Sequence, residues 1–254
     1  MDRIIYTAGS GASQSMNQQA VVSHNLSNVS TPGFRAELDA MRAVPVEGDG
    51  RLATRSTVAA TTPGTDFSPG YMNATGRRLD VAMQEDAFLA IQDPQGGEAY
   101  TKRGDLQVNA DGMLTVKGEP VMGDNNAPVL VPPDADFSIG SDGSISVIEA
   151  GASPDEIAQV GRLKLVTPDQ EALTRGDDGW FRLPPGEDAE VAAPQPQNED
   201  ARLQSGVLEG SNVSATDAMV AMIDGARRYD MQMKVIESAD QNAQRANSLL
   251  SIQA

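Results

Sequence analysis

The same heptad spacing of small and apolar residues stands at both ends of this 254-residue chain, separated by a long middle that looks nothing like either end. Such a layout confines the chain to folds in which two long helices, distant in sequence, flank a different kind of structure. At the N-terminus the seam reads Ile5, Ala8, Ala12, Ser15, Gln19, Val22, Leu26 and Val29; at the C-terminus it reads Met219, Met222, Ala226, Tyr229, Met233, Ile236, Asp240, Ala243, Asn247 and Leu250. Ser15, Gln19, Asp240 and Asn247 interrupt the stripes and the alanines bury little area each, so either helix alone in water is marginal. Each needs a partner.

Proline and glycine punctuate what lies between. The first helix is expected from about Arg3 to Asn28, ended by Pro32, which pushes Thr31 out of helical geometry, and by Gly33. Residues 36–75, with Pro45, Gly48, Gly50, Pro63, Gly64, Pro69 and Gly70, read as extended linker. From about Gly76 the period drops to two. Leu79, Val81 and Met83 alternate with polar or small residues, Leu89 and Ile91 lead into a turn at Pro94 to Gly97, and Asp111-Gly112 and Asp142-Gly143 each sit between alternating runs as hairpin turns. Further strands are expected at Gly161 to Val166 and around Trp180, Phe181 and Leu183. An acidic, proline-rich return with Glu187, Asp188, Glu190, Pro194, Pro196, Glu199 and Asp200 precedes the last helix, for which Ser214 or Thr216 supplies the cap. The expected fold is α+β, with the terminal helices paired as a coiled-coil-like stem and a central compact antiparallel β domain. Its divisions are residues 1–35, the N-terminal helix and its stop; 36–75, the linker; 76–204, the β domain with the acidic return; and 205–254, the C-terminal helix.

Charge and residue inventory exclude several kinds of chemistry. A formal net charge of -17 repels phosphate backbones and anionic lipid heads, which argues against nucleic-acid or membrane-surface partners. With no cysteine there is no disulfide, thiolate metal site or cysteine nucleophile. His24 is the only histidine, so any Ser-His or His-metal scheme has to use it, and it stands on the first helix as a solvated or interface residue. Gly9-Ser10-Gly11 opens like a dinucleotide loop, but Gln14 replaces the third glycine and no strand precedes it; close helix packing by small residues explains it better. The Asp-Gly turns fail as calcium loops, because Gln107 and Ser138 stand at the first ligand positions. No catalytic, cofactor or metal residues are expected. The first residues lack the apolar stretch of a secretory signal, and no run has the apolar length of a membrane span.

Asn25-Leu26-Ser27-Asn28-Val29-Ser30-Thr31-Pro32-Gly33-Phe34-Arg35 resembles the N-terminal signature of bacterial flagellar rod, hook and hook-associated proteins. Leu208-Glu209-Gly210-Ser211-Asn212-Val213 and the helix after it resemble the C-terminal part of that family, and Thr75 to Ala82 and Ala99 to Gly104 resemble its middle. The opening residues and Val121-Met122-Gly123 are most similar to the proximal rod members, with the distal rod members next. At Glu85-Asp86-Ala87 the family usually has Gly-Asp-Gly, so a different turn is expected there. The resemblance implies a non-enzymatic subunit of the axial tube, exported by the flagellar type III apparatus without signal cleavage and placed in the periplasm, where the rod passes motor torque outward. Its partners are other proximal and distal rod subunits, with self-association. The implied assembly interface comprises Ile5, Ala8, Ala12, Gln19, Val22 and Leu26 of the first seam, Met219, Met222, Ala226, Tyr229, Met233, Ile236, Asp240, Ala243 and Leu250 of the second, and Asn28, Pro32, Gly33 and Phe34. Two readings of other classes stand beside it: a periplasmic cell-wall hydrolase using carboxylates, and a secreted binding module built on the β domain.

Overall fold

The computed structural model describes residues 2–38, 41–45, 56–60, 64–94, 96–132, 136–148, 158–185 and 192–251. Of the sequence landmarks, Gly48, Gly50, Pro63, Gln95 and the acidic stretch at 186–191 lie outside them, as do the side chains of Asn247 and Leu250. The chain divides into two compact units, one of Met1–Val29, Ala36–Asp66 and Val213–Ala254, the other of Ser30–Arg35 and Phe67–Asn212.

The first unit holds the two helices, α1 (Asp2–Ser27) and α2 (Ala215–Ser251), packed on one another. It also holds two antiparallel strand pairs: β1 (Glu37–Leu38) with β4 (Gly64–Thr65), and β2 (Met41–Pro45) with β3 (Ser56–Ala60). Helix α1 stops because its last carbonyls find local partners. The Asn28 amide Nδ2 and backbone N–H both donate to the His24 carbonyl, at 2.9 and 3.2 Å, and leave no turn to propagate. Helix α2 starts at Ser214, whose Oγ accepts from the Asp217 N–H at 3.3 Å while the Asp217 carboxylate sits at the positive helix end.

The second unit is β-rich and antiparallel throughout its named pairs. A five-stranded sheet in the order β15 (Leu165–Val166), β7 (Phe88–Gln92), β8 (Glu98–Thr101), β17 (Phe181–Arg182), β16 (Thr174–Arg175) lies at its centre. Around it are three-stranded sheets from β9 (Leu106–Val108), β10 (Leu114–Val116) and β11 (Glu119–Pro120), and from β12 (Asp136–Ile139), β13 (Ser144–Ile148) and β14 (Ala158–Arg162). Two short ribbons complete it, β5 (Met72–Ala74) with β19 (Val207–Glu209) and β6 (Val81–Met83) with β18 (Leu203–Ser205). The run Phe88-Leu89-Ala90-Ile91 shows why β7 can be an interior strand. Leu89 and Ile91 enter a large core with Val81, Leu106, Leu114, Ile145 and Leu163, while Phe88 and Ala90 enter a second core with Tyr100, Val166 and Phe181. A strand buried on both faces is apolar at every position. In the second core Phe67, Phe88 and Phe181 meet at centroid separations of 5.3 to 6.0 Å, two of the three contacts edge-on.

The expected coiled-coil-like stem is corrected by this structure. The buried stripe of α2 runs through Ala218, Gly225 and Ala239, with Met222, Tyr229, Gln232, Ile236 and Ala243 half-buried, whereas Met219, Ala226, Met233 and Asp240 of the expected seam are exposed. Every other position is displaced by one residue. The contacts that replace the heptad knobs are small groups and amides: a Cβ on Gly11 would lie 2.7 Å from the Gln232 side-chain amide, and α1 buries Ala12, Gln14 and Ser15. Small side chains and an amide seated on Gly11, not interlocking of large apolar side chains at every heptad position, mark this face. The heptad expectation favoured the larger methionines and so chose the wrong alternate positions.

Glu85 stands at φ +48°, in the left-handed region, in the turn from Gln84 to Ala87 where the family usually has glycine. A side chain there is strained by about 1 kcal/mol or more, and the buried Lys102 Nζ, which donates to the Glu85 carbonyl, holds the turn in place. Glu85→Gly is expected to raise stability by up to about 1 kcal/mol, the relief of strain being partly offset by the freer unfolded chain; urea unfolding followed by tryptophan fluorescence measures it.

Candidate assembly interface

In the first unit the helix residues expected at an interface fall into two groups. Ala12 is buried and Ile5, Ala8, Gln19, Val22, Leu26, Met222, Tyr229, Ile236 and Ala243 are half-buried, on the faces already covered in the single chain. Met219, Ala226, Met233 and Asp240 are exposed. Leu250 belongs to α2, with its side chain outside the described residues. A second exposed set on α2, which the heptad reading passed over, comprises Val220, Ile223, Met231 and Val235, between 45 and 58% exposed. At 100° per residue Val220, Ile223 and Met231 lie with Met219 on the side of the helix away from Ala218, Gly225 and Ala239, and Val235 lies at its edge beside Ala239. On α1, Ile4, Tyr6 and Met16 are likewise exposed, Tyr6 at 80%. His24 is tied to structure rather than set up for chemistry. Its Nδ1 lies 3.1 Å from Glu37 Oε2, and the Asn25 side-chain amide exchanges two 2.9 Å hydrogen bonds with the Glu37 backbone.

In the second unit, Ser30 to Arg35 and residues 207–212 are clasped together. Gly33 is at φ +65° and a Cβ there would lie 2.4 Å from the Lys102 carbonyl carbon, so the position accepts glycine for both conformation and space. Its N–H donates to the Glu209 carbonyl at 2.8 Å, and the Asn212 N–H donates to the Phe34 carbonyl at 3.3 Å. Pro32 is half-buried, and Phe34 is buried with the Arg175 guanidinium 4.3 Å from its ring centroid, while Arg175 Nη1 donates to the Arg35 carbonyl at 3.1 Å. Beneath them Arg35 Nη1 lies 2.7 Å from Glu209 Oε1, both side chains 1% exposed, and the Gly70 N–H donates to the same carboxylate oxygen at 2.9 Å. Asn28, the last of the signature residues expected here, closes α1 in the first unit.

Arg35, Glu209 and Lys102 are the members that sequence reasoning missed. The signal was present: Arg35 ends the N-terminal signature and Glu209 lies inside the C-terminal one, and a charged residue fixed within each of two motifs is the pattern of a pair that closes in space. Lys102 completes the cluster. Burial first, and then the neighbouring Arg35 cation, bring its pKa down to about 8. A second buried pair lies apart from this one. Lys164 meets the Glu98 carboxylate and the Asn126 side-chain oxygen, and Glu98 also accepts from the Tyr100 hydroxyl at 3.2 Å and the Gln195 N–H at 3.1 Å. Burial, with Glu98 beside it, raises the Tyr100 phenol above its ordinary range.

Among the described residues no helix is long and apolar enough to cross a membrane, and no three or more His, Cys, Asp or Glu side chains group as metal ligands.

Removing one partner of the clasp leaves the other charge buried and unpaired. Arg35→Met is therefore expected to destabilise the protein by about 3 to 5 kcal/mol, and Arg35→Met with Glu209→Met to recover a large part of the loss, both read by chemical denaturation. Lys102 acts in the opposite sense to a paired lysine. Its folded pKa of about 8 lies below the unfolded 10.5, so between those values the unfolded chain holds more protons and stability rises with pH. Lys102→Met is expected to flatten that rise in denaturation midpoints taken from pH 7 to 10.5.

Comparison with known proteins agrees along the chain. Residues 5–35 match the model of the flagella basal body rod protein family, 82–147 that of the flagellar hook protein FlgE/F/G D1 domain, and 204–249 that of the flagellar basal body rod FlgEFG protein C-terminal family. The flagellar basal-body rod protein FlgF of Salmonella typhimurium is 51% identical over 252 residues, covering 99% of this chain and 100% of that one. FlgF of Escherichia coli is 52% identical with the same coverage, and the rod protein FlgG of Bacillus subtilis is 29% identical over 95% of this chain and 96% of its own. Matched along its whole length at this level of identity, the chain belongs to the flagellar basal-body rod protein FlgF family.

Proposed function

We infer that this protein polymerises through its terminal helices into the axial tube of the flagellum, as a proximal rod subunit that carries motor torque across the periplasm. The coarser statement follows from family membership: it is a structural subunit of the flagellar basal-body rod, at home in the basal body, in a family whose members assemble with other rod and hook subunits. The observation that supports the finer reading is the outer face of α2. A 37-residue helix that keeps Met219, Val220, Ile223, Met231 and Val235 exposed, interspersed with exposed Asp224, Arg227, Asp230 and Lys234, offers a neighbour apolar and charged side chains together. Helices of neighbouring subunits cover this face. The expected interface residues Met219, Ala226, Met233 and Asp240 are available to a neighbour in the single chain, while those on the packed side, from Ile5 and Ala12 to Ile236 and Ala243, set the pairing that presents them.

The remaining parts of the reading rest on family resemblance and composition. Export through the flagellar type III apparatus without signal cleavage suits a chain destined for the rod. The structural names of its relatives, together with a single histidine and no cysteine, support a non-catalytic role. A charge of -17 supports protein partners over nucleic acid or a lipid bilayer. These supports weigh against the cell-wall hydrolase and the binding module.

Ile223→Asp with Met231→Asp is expected to abolish motility and leave no chain in purified basal bodies, with the circular dichroism of the purified protein unchanged. Normal swimming and incorporation by this variant would show that the outer face of α2 is not the assembly surface.

A further inference from the structure

Ribbon β5–β19 carries an apolar and basic patch in a chain with a large excess of acidic residues. Residues 71–78 are exposed without interruption. Tyr71 and Met72 are 61 and 52% exposed, the Tyr71 ring lying over Gly210, where a Cβ would meet it at 2.4 Å. Among the described strands β5 pairs with β19 alone, and an unpaired strand edge is a template for a partner. After the turn at Gly76, whose N–H donates to the Gly206 carbonyl at 3.0 Å, come Arg77 and Arg78. The Arg77 guanidinium touches Asp80 at 3.3 Å yet keeps 57% of its side chain exposed, and Arg78 is exposed as well. Tyrosine, methionine and arginine are the residue types enriched at protein interfaces.

The chain's own charge identifies the occupant. With 36 acidic and 19 basic residues, two copies repel over most of their surfaces and attract only where one brings its scarce positive charge to the other's abundant negative charge. The same unit presents a compact acidic knob: the Gln170 amide donates to Asp86 at 2.8 Å and Asp169 accepts the Glu171 N–H at 3.1 Å, so Asp86, Asp169 and Glu171 are held together, all exposed. Patch and knob are different surfaces, so a one-way contact between them leaves each copy a patch or a knob for the next copy and repeats along an assembly.

We propose that the patch of Tyr71, Met72, Arg77 and Arg78 docks on the acidic knob of Asp86, Asp169 and Glu171 of a second copy of this chain, a lateral contact within the rod that rests on the reading of the protein as a rod subunit. The test replaces Met72 with the photocrosslinking residue p-benzoylphenylalanine in motile cells and irradiates before basal bodies are purified. The expected product is an adduct of two copies of this chain, with the far side mapped by mass spectrometry to the peptides around Asp86 or Glu171. Arg77→Glu with Arg78→Glu lowers the adduct about tenfold, and adding Asp86→Lys with Glu171→Lys to that variant restores it, while unchanged thermal melting of each purified variant assigns the loss to the surface. An adduct to a different protein, an adduct mapped to α1 or α2, no adduct from an incorporated chain, or a yield indifferent to charge reversal overturns the proposal. Immunoblotting of the same basal bodies reads the underlying assignment separately, because a chain absent from them fails as a rod subunit whatever its crosslinks.

Discussion

The buried pair of Arg35 and Glu209 is the constraint around which the second unit is arranged. The two residues are far apart in the chain, and both side chains are 1% exposed at 2.7 Å separation. Ionised groups so far from water are costly unless each faces its counter-charge. Here the Gly70 N–H serves one carboxylate oxygen of Glu209, Glu209 Oε2 and Arg35 Nε have no hydrogen-bond partner among the described residues, and the backbone bonds of Gly33 to Glu209 and of Asn212 to Phe34 close the same two segments. The glycine at 33, the aromatic ring at 34 and the guanidinium of Arg175 follow from that closure, since each fills or yields space at the clasp. A pair of this kind adds little net stability over an apolar equivalent, but it admits one register. That specificity explains why a charged residue stands within each of the two terminal signatures.

Much of the β-rich unit was readable in the sequence because its signals are local. The two Asp-Gly turns and the alternation around them specify hairpins, and β9 pairs with β10 and β12 with β13 across those turns. What the sequence did not reveal is how the ribbons at the far ends of the unit find each other, β5 with β19 and β6 with β18, because pairings closed over more than a hundred residues leave no periodic trace. The turn at Glu85 is instructive in another way. A different turn is expected where glutamate stands for glycine, yet Glu85 keeps a positive φ, its carbonyl anchored by the buried Lys102 that follows β8.

The helices were legible as helices and misread as a seam. Length, caps and the proline stop are local and fixed the bounds of α1 and α2 closely. The face that packs is the one where Gly11 leaves room for the Gln232 amide, with Met219 and Met233 left exposed. The sizes of side chains in a single stripe do not announce that choice. Likewise, the arginine and carboxylate of the clasp stand within recognisable motifs, and one sequence shows composition at two places and not their distance.

The amide and alanine character of the helix-to-helix contact has a thermal consequence. Heat-capacity change on separation tracks the exposure of apolar surface, and polar surface contributes with the opposite sign. Ala218, Gly225, Gln232 and Ala239 against Gly11, Gln14 and Ser15 bring small and amide groups to faces that also carry Ile5, Val22, Leu26, Met222, Tyr229 and Ile236. The contact therefore weakens less on cooling than a seam of large apolar side chains alone would.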